Sequence, residues 1–404
     1  MLLTYKKYCK LIAVCAAFAL IVLGCCVGAF AAGGGLTAAD NGDKTLKFND
    51  DGTFKIVMLN DTQDVGKNGN PKMTDFLKKA IDTEKPDLVV FAGDQLSDVY
   101  TLPTAEDYAI AVDNILKPLE DRGIPFLATL GNHDHDRASV LSEAEMYKLY
   151  DRYEMNYATE NGPDPFTFNV EVKTHDGSAT AFNIYMMDSN NHAPEGGYAG
   201  ITAEQLAWYN NTSAALKAAN GGNVVPSMNF QHIPVKEIYN LFKECEWNTE
   251  GAIYSRRDGK WYVLDENKIV NDGGRLGEAP CSENFDHITG QYQAWLANGD
   301  IMGAFFGHDH VNSYWGITDD GIKMGYNGGS GFRSYGDGGY RSVRVFEFNE
   351  DDVTNYTTRL IFHDDLMEEK AGFVFADYVS PALLTKVMKV VYFLFGWAIK
   401  MFKK

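Results

Sequence analysis

The stretch "FKIVMLNDTQ" (Phe54–Gln63) opens the part of the chain that decides the fold, because an apolar run of strand length ends there in a polar cluster. The segment "PKMTDFLKKAIDTE" (Pro71–Glu84) follows, with the apolar spacing of an amphipathic helix and a proline at its start. "DLVVFAG" (Asp87–Gly93) then has the composition of a buried strand, a second helix is predicted around Glu106–Arg122, and "IPFLATLG" (Ile124–Gly131) is a third strand. This βαβαβ alternation predicts a largely parallel sheet covered by helices.

The rest of the chain continues the alternation with one irregular interruption. Further strands are predicted at Ala181–Asp188, Asn223–Gln231, Ile301–Gly307 and Tyr340–Phe348, with a helix near Thr202–Ala219 and shorter antiparallel strands after Val311. Residues Lys243–Ser282 show weak periodicity and are interpreted as a long insertion. Long insertions in a compact domain are often functional, so we expect this one to form a wall of the binding pocket.

Polar clusters follow the ends of five of the predicted strands. They are Asp61-Thr62-Gln63, "GDQLSD" (Gly93–Asp98), "GNHD" (Gly131–Asp134), Gln231-His232 and "GHDH" (Gly307–His310). Open α/β sheets place their ligands at the carboxyl ends of the strands, so these side chains are predicted to converge. Aspartate, asparagine and imidazole converging on one edge suit two divalent metals that share a bridging carboxylate.

Each cluster alone has a purely structural explanation. "GNHD" could be a turn that caps a helix, and a lone histidine such as His232 is more often part of the core than a ligand. Five such clusters in this order on five strands favour the metal centre.

The clusters resemble the five motifs of the calcineurin-like metallophosphoesterase superfamily over roughly Phe54–Phe348. The segments "FQHIPVKEIYNLF", "GHDHVNSYWGI" and "YNGGSGFRSYGDGGYRSVRV" are similar to a branch of short purple-acid-phosphatase-related proteins. The resemblance implies an α/β protein with a four-layer α/β/β/α metallophosphoesterase sandwich and a phosphate-ester substrate.

The resemblance also implies the ligand sets. One metal would be held by Asp61, Gln63, Asp94 and His310, and the second by Asp94, Asn132, His232 and His308. His133 would face the substrate phosphate and stabilise or protonate the leaving oxygen. Asp98 is a candidate to orient His133, although related enzymes place that carboxylate one residue earlier.

Two positions depart from the family pattern. Purple acid phosphatases have an iron-binding tyrosine three residues after the bridging aspartate, and here that position is Ser97. Gln63 stands where most members have histidine. A neutral amide oxygen suits Mn²⁺, Mg²⁺ or Fe²⁺ better than Zn²⁺. We therefore expect two divalent ions (Mn, Fe, Zn or Mg) and no tyrosinate ligand.

The charge of the chain excludes one class of partner. The formal net charge is −19, which would repel a nucleic-acid backbone. A phosphate substrate then needs local positive charge, which bound metal ions would supply. Arg333 is predicted as a further phosphate clamp, since guanidinium matches phosphate geometry.

The N-terminus has the pattern of an export signal. Lys6, Lys7 and Lys10 precede thirteen apolar residues, Leu11–Leu23. "AFAAG" (Ala29–Gly33) fits a cleavage site, "VLGC" (Val22–Cys25) resembles a bacterial lipobox, and the uncleaved run could also span a bilayer. Residues 1–32 are therefore predicted to be a signal peptide or anchor, 33–50 a flexible linker and 51–370 the metallophosphoesterase domain.

Two further features bear on location. Cys245 and Cys281 are the body cysteines, and export permits either a disulfide or two free thiols. Residues 381–404 form a basic amphipathic helix by pattern, with its five lysines in about a 100° sector. We expect this helix to lie in a membrane interface; the alternative is a helix packed on the domain with a solvated basic face.

These patterns together predict an exported, extracytoplasmic and membrane-associated phosphoesterase that uses a metal-bridging hydroxide. One alternative is a hydrolase of nucleotide diphosphates or lipid-linked pyrophosphates, favoured by Gln63 and by the C-terminal helix. Another is a non-catalytic metal- or phosphate-binding surface protein, against which the intact Asp94 and His133 argue.

Overall fold

The computed structural model describes residues 44–69, 71–97, 102–136, 140–194, 196–282, 289–374, 377 and 382–402, all within one compact unit. The predicted leader (residues 1–32) and most of the predicted linker lie outside the described residues. The carboxylate of Asp98, proposed above to orient His133, lies outside them too.

One sheet has five strands and contains the βαβαβ unit. Its strands are β2 (Thr53–Leu59), β3 (Leu88–Ala92), β4 (Phe126–Thr129), β15 (Ser342–Asn349) and β16 (Thr357–Phe362), in the order β16-β15-β2-β3-β4. Strands β2, β3 and β4 are parallel, and β15 is antiparallel to both of its neighbours.

The second sheet has eight strands. They are β1 (Leu46–Lys47), β5 (Phe168–Lys173), β6 (Thr180–Met187), β7 (Ser227–Gln231), β11 (Ile269–Val270), β12 (Ile301–Phe306), β13 (Trp315–Ile317) and β14 (Lys323–Tyr326), in the order β1-β5-β6-β7-β12-β14-β13-β11. Strands β6, β7, β12 and β14 run parallel, so the ends of β7 and β12 lie side by side.

The α-helices are α1 (Pro71–Glu84), α2 (Ala105–Glu120), α3 (Asn132–His135), α4 (Glu143–Asp151), α5 (Ala203–Ala219), α6 (Gln291–Asn298), α7 (His363–Leu366) and α8 (Ala382–Phe402). Side chains accept backbone hydrogen bonds at three of the helix starts. Thr104, Ser142 and Thr202 cap α2, α4 and α5 respectively. Such caps stabilise a helix by about 1 kcal/mol each.

Three apolar clusters separate four layers. Between the sheets, Ile56 and Val90 of the five-stranded sheet pack in one cluster with Phe230 and Phe305 of the eight-stranded sheet. Alternate residues of the same strands face outward, because successive side chains of a strand point to opposite faces. Val57 and Val89 therefore contribute to the cluster that covers the five-stranded sheet, which includes Phe76 of α1 and Val112 of α2.

The third cluster covers the outer face of the eight-stranded sheet. Tyr185 and Phe306 of that sheet pack there with Tyr209 of α5 and Trp295 of α6. The layers are therefore α/β/β/α, which confirms the fold class that the resemblance implied.

The predicted elements differ from the observed ones mainly at their ends. The predicted helix at Pro71–Glu84 has those bounds in the structure, and most strands shift by one or two residues. Strand β7 starts at Ser227 rather than Asn223. Pro226 directly precedes it and has no N–H to donate to a neighbouring strand, so the ladder begins after the proline.

The irregular insertion contains a small sheet that periodicity did not indicate. Strands β8 (Phe242–Glu244), β9 (Ile253–Ser255) and β10 (Lys260–Leu264) pair antiparallel in the order β8-β10-β9. Arg344 of β15 is fully buried and pairs with Asp272, whose carboxylate lies 2.8 Å away, so an ion pair fixes this part of the insertion to the domain.

Helix α8 packs on this insertion. The Tyr392 ring contacts the Trp261 ring at a centroid distance of 5.4 Å, and Thr385 Oγ1 accepts a hydrogen bond from the Tyr254 backbone N–H at 3.1 Å. Among the described residues, no helix is both long enough and apolar enough to cross a membrane.

Candidate metal centre

The carboxyl ends of five strands meet at one edge and bring the predicted ligands together. Asp61 and Gln63 follow β2, Asp94 follows β3, Asn132 begins α3 after β4, His232 follows β7, and His308 and His310 follow β12. All of them are buried except His308, which is half-buried. Because these five strands are parallel neighbours within their sheets, the loops that follow them open on the same side.

The side chains form two groups that share one carboxylate. Ligand atoms of Asp61, Asp94 and His310 lie within 4.8 Å of one another, and so do those of Asp94, His232 and His308. Asp61 Oδ1 lies 3.0 Å from His310 Nε2, and Asp94 Oδ2 lies 3.2 Å from His232 Nε2. Asp94 therefore occupies the position that a bridging ligand needs.

Buried polar atoms test whether this donor set fits a metal. Asn132 Oδ1 is buried and makes no hydrogen bond to any described residue. A buried polar atom without a partner is costly unless a ligand satisfies it. Gln63 lies beside the shared carboxylate, with its amide nitrogen 3.4 Å from Asp94 Oδ2. Oxygen and imidazole donors of this kind fit two divalent cations.

Backbone carbonyls set the tautomers of two histidines. His232 Nδ1 lies 3.0 Å from Ala92 O, and His310 Nδ1 lies 2.7 Å from Tyr335 O. A carbonyl only accepts, so Nδ1 must carry the proton in both rings, which leaves Nε2 to face the carboxylates. Hydrogen bonds also fix Asp61, because its Oδ2 accepts from Asn60 Nδ2 at 2.6 Å and from the His308 N–H at 3.0 Å.

The electrostatics of the group suit metal binding. Burial lowers the pKa of His308 to about 3, and the charge of His232 acts in the same direction, so His308 is neutral at physiological pH. Burial also acts to lower the pKa of His232, but the charges of Asp94 and Asp61 outweigh it and raise that pKa to about 10. A cation bound between these carboxylates would displace the His232 proton.

Glycines provide the space for the ligands. A Cβ on Gly131 would lie 2.2 Å from Asp94 Oδ1, and a Cβ on Gly93 would lie 2.5 Å from His232 Cβ. Close packing therefore requires glycine at positions 93 and 131, and at Gly93 a left-handed φ of 88° requires it as well.

His133 lies at the mouth of the site. Its backbone N–H donates to Asp94 Oδ1 at 2.8 Å, and its ring Nδ1 lies 3.1 Å from Asp136 Oδ2. Burial acts to lower the pKa of His133, yet the charge of Asp94 and the Asp136 contact raise it. Asp136 follows His133 by three residues and orients its ring. Residues spaced i,i+3 in a helical turn are neighbours, so this spacing in the sequence could have identified Asp136 as the partner of His133.

A cavity of about 340 Å³ opens over the centre. Its lining includes Asp94, Asn132, His133, His308 and His310, and most of its other lining residues come from the insertion and from α8. The expectation that the insertion walls the pocket therefore agrees with the described residues.

The structure does not place Arg333 in this lining. Its side chain is exposed, and its charge acts on Asp64. The cavity instead contains Arg256 and Arg257, which sequence reasoning missed because the insertion has no recognisable pattern. Cys281 also lines the cavity, and both Cys281 and Cys245 are free thiols.

Comparison with known proteins places these features in a family. The model of the calcineurin-like phosphoesterase family matches residues 54–312. Probable inactive purple acid phosphatase 14 from Arabidopsis thaliana is 30% identical over 350 residues, covering 77% of this chain and 79% of that protein. Phosphatase DCR2 from Saccharomyces cerevisiae is 25% identical over 358 residues, covering 80% of this chain and 56% of that protein.

The chain is also similar to a solved structure. The crystal structure of a dimetal phosphatase from Danio rerio aligns with 76% of this chain and 98% of its own, at 12% identity and a TM-score of 0.46. The family match covers more than half of the chain and contains all five of the predicted strand-end clusters. The chain belongs to the calcineurin-like phosphoesterase family.

Proposed function

We propose that this metal-dependent phosphoesterase hydrolyses phosphate esters at the centre formed by Asp61, Gln63, Asp94, Asn132, His232, His308 and His310. The observation that supports it most is the shared position of Asp94, which belongs to both groups of ligand atoms. Asp61, Gln63 and His310 would complete one site, and Asn132, His232 and His308 the other.

Two divalent cations, when bound, supply a water that ionises near neutral pH and neutralise the phosphate oxygens. The chain's own residues do the rest. His133 faces the cavity, and its raised pKa favours the protonated ring, which could donate to the leaving oxygen. Asp136 holds the imidazole ring in that orientation. The buried walls around Asp94 and His232 exclude bulk water, which strengthens these interactions.

An anhydride is the second candidate substrate. Gln63 favours it, because glutamine at this position occurs in some manganese-dependent nucleotide-diphosphate hydrolases of the superfamily. The non-catalytic alternative also has an observation behind it, since one relative's name describes that protein as probably inactive. The same experiment separates all three functions.

The experiment measures metal content and hydrolysis on one preparation. Wild type is assayed with a phosphomonoester, a phosphodiester and a pyrophosphate, and compared with Asp94→Asn and His133→Ala. We expect Asp94→Asn to lose both turnover and metal. His133→Ala should lose turnover by about 10²–10⁴-fold while keeping its metal. A wild type that binds two metals and hydrolyses none of the three substrates would establish the non-catalytic function.

We also propose that the enzyme is exported and works at an anionic membrane surface. The leader pattern of residues 1–32 supports export. The outward side of α8 supports the surface, because Val387, Val390 and Leu394 are 48%, 58% and 53% exposed opposite the side that packs on the insertion. Lys386 and Lys389 lie to one side of this apolar strip, and residues 381–404 contain no acidic residue.

A further inference from the structure

The turn between β9 and β10 projects two arginines into the active-site cavity. Arg256 and Arg257 follow Ser255, the last residue of β9, and both line the cavity. Arg256 is exposed and Arg257 is half-buried. The chain has a net charge of −19, so two adjacent cations in the wall of this cavity contrast with the charge of the rest of the protein.

The arginines lie beyond the metal centre rather than over it. The Tyr198 ring meets the His308 ring edge-on at a centroid distance of 4.4 Å, and the Arg257 guanidinium lies 5.9 Å from the centroid of the same tyrosine. Tyr198 therefore lies between the ligand and the arginine. On the other side, Arg257 Nη2 is 4.0 Å from Cys281 Sγ, which lies within 4.8 Å of a ring nitrogen of His308.

Packing fixes the strand that leads into this turn. The Tyr254 backbone N–H donates to Thr385 Oγ1 of α8, and the Tyr254 ring packs on Trp261 at 5.1 Å. Tyr198 adds a cation–π contact to the Arg257 guanidinium. The backbone of the turn and the Arg257 side chain are thus held at a defined place in the cavity wall, which reduces the entropy lost on binding.

We propose that Arg256 and Arg257 form a second oxyanion subsite, so that the preferred substrate is a phosphoester with another anionic group a few bonds from the scissile phosphate. This inference rests on the proposed function and names its substrate class. Guanidinium binds phosphate or carboxylate through paired N–H donors, so the subsite selects an oxyanion rather than a neutral group. A cavity of about 340 Å³ also has room for more than one phosphate group.

The test uses two matched substrates that differ by one group, propyl phosphate and propane-1,3-diol bisphosphate, with phosphate release as the common signal. In the Mn²⁺-loaded full chain we expect KM to be lower for the bisphosphate. The double variant Arg256→Gln/Arg257→Gln should raise KM for the bisphosphate about 10- to 100-fold and leave propyl phosphate almost unchanged. Arg359→Gln removes an exposed arginine that pairs with Glu84 outside the cavity, and serves as the matched control.

A binding measurement separates this inference from the proposed function. Calorimetry with propylphosphonate and propane-1,3-bisphosphonate, which contain no ester to hydrolyse, should show the same selectivity and the same loss in the double variant. If no substrate is hydrolysed but the bisphosphonate still binds through the arginines, the proposed function fails and the subsite stands. Equal losses for both substrates, or no loss for either, would overturn the second subsite.

Discussion

Four of the residues that we propose as metal ligands have a left-handed backbone. Their φ angles are 52° at Asp61, 42° at Gln63, 52° at Asp94 and 74° at His308. For residues with a side chain this conformation costs on the order of 1–3 kcal/mol each and persists only where the surroundings impose it. Here the loops after β2 and β3 impose it, because the Asp61 N–H donates to Gly93 O and the Gln63 N–H donates to Asp94 O. The strain orients the ligands before any metal binds.

Gly131 offers a test of how closely Asp94 is placed. Its backbone, at φ −115° and ψ −178°, is open to any residue, so Gly131→Ala has no conformational obstacle except the contact of the new Cβ with Asp94. We expect the displaced carboxylate to lower metal affinity and to reduce turnover by about 10²-fold, as misplacement by an ångström does elsewhere. Metal analysis and initial rates measure both effects.

Gly177→Ala is the control for this prediction. Gly177 has a φ of 74° with no atom near its Cβ position, so the variant strains a turn without touching the centre. It should lower stability by about 1 kcal/mol and leave metal affinity unchanged. Similar metal loss in the two variants would mean that general destabilisation, and not Asp94, is responsible.

His363 should make stability depend on pH. Its ring packs edge-on against Phe76 and Phe332 at centroid distances of 5.3 and 4.9 Å. Burial lowers its pKa from 6.5, helped by the charges of Lys72 and Arg341 and opposed by Asp364. Below pH 6.5 the unfolded chain therefore binds a proton that the folded chain resists, and stability falls as the pH falls.

The measurement is urea unfolding between pH 7.5 and 5. His363 contributes a slope of at most about 1.4 kcal/mol per pH unit, which develops as the pH falls through 6.5. His363→Gln cannot titrate, so its stability should fall less over this range even if it is lower overall. Parallel curves for the two proteins would show that other groups set the acid sensitivity.

At the scale of elements, the glycine-rich loop between β14 and β15 supports the centre from behind. Arg341 is fully buried at the start of β15, pairs with Asp377 at 2.7 Å, and donates to Gly331 O, Ser334 O and Gly338 O. The loop then carries Tyr335, whose ring stacks on His310 at 4.2 Å and whose carbonyl oxygen accepts from that histidine. A buried arginine thus fixes a ligand that it does not touch.

Helix α8 leads to a prediction about membrane binding. The sequence left two alternatives for this helix, packing on the domain or lying in a membrane interface. One side of α8 packs on the insertion through Tyr392, while the opposite side exposes an apolar strip. We expect a leader-free protein to bind anionic vesicles, and the triple variant Val387→Asn/Val390→Asn/Leu394→Asn to lose that binding. Salt should weaken it as well, since each lysine near an anionic surface contributes roughly 1 kcal/mol.

Vesicle sedimentation and light scattering distinguish the possible partners of the strip. Neutral vesicles are the control for the lysines, and circular dichroism checks that the triple variant keeps its helix. If the wild type ignores anionic vesicles at low salt but forms a dimer that the triple variant abolishes, a second copy covers the strip instead. Either partner would also lie close to the cavity, because Leu384 and Thr385 of the same helix line it.

At the scale of the whole molecule, the candidate metal centre lies where the two sheets meet. Asp61, Asp94 and Asn132 come from the five-stranded sheet, while His232, His308 and His310 come from the eight-stranded sheet. Long segments of chain separate the two groups of residues, so a metal held by both groups would act as a cross-link between the two sheets. Ligands that bind the folded state alone stabilise it by mass action.

We therefore expect metal to raise the melting temperature. Mn²⁺ at 100 times its dissociation constant adds about 2.7 kcal/mol per site, and chelator should remove that gain. Asp94→Asn, which lacks the shared carboxylate, should show little shift over the same titration. Differential scanning calorimetry measures the effect, and an unchanged wild-type melting temperature in saturating metal would contradict a centre that spans the two sheets.

The sequence by itself determined the parts of this protein that depend on local pattern. The period of the apolar residues located the strands and helices to within a few residues. Because the carboxyl ends of parallel strands share an edge, five short polar clusters predicted a metal centre there. The family resemblance of those clusters then implied the ligands Asp61, Gln63, Asp94, Asn132, His232, His308 and His310. The structure places these side chains together, and their role as ligands stays a prediction for the metal analysis to test.

Only the tertiary structure decided what surrounds the sheet edge at which these polar clusters meet. The small sheet of the insertion, the arginines of its turn and the docking of α8 depend on contacts such as Tyr254 with Thr385, which are 131 residues apart in the chain. No periodicity encodes such a contact, because it is selected by packing and hydrogen bonding after the layers have formed. For the same reason the sequence pointed to Arg333 as the anion clamp, whereas packing put Arg256 and Arg257 in the cavity.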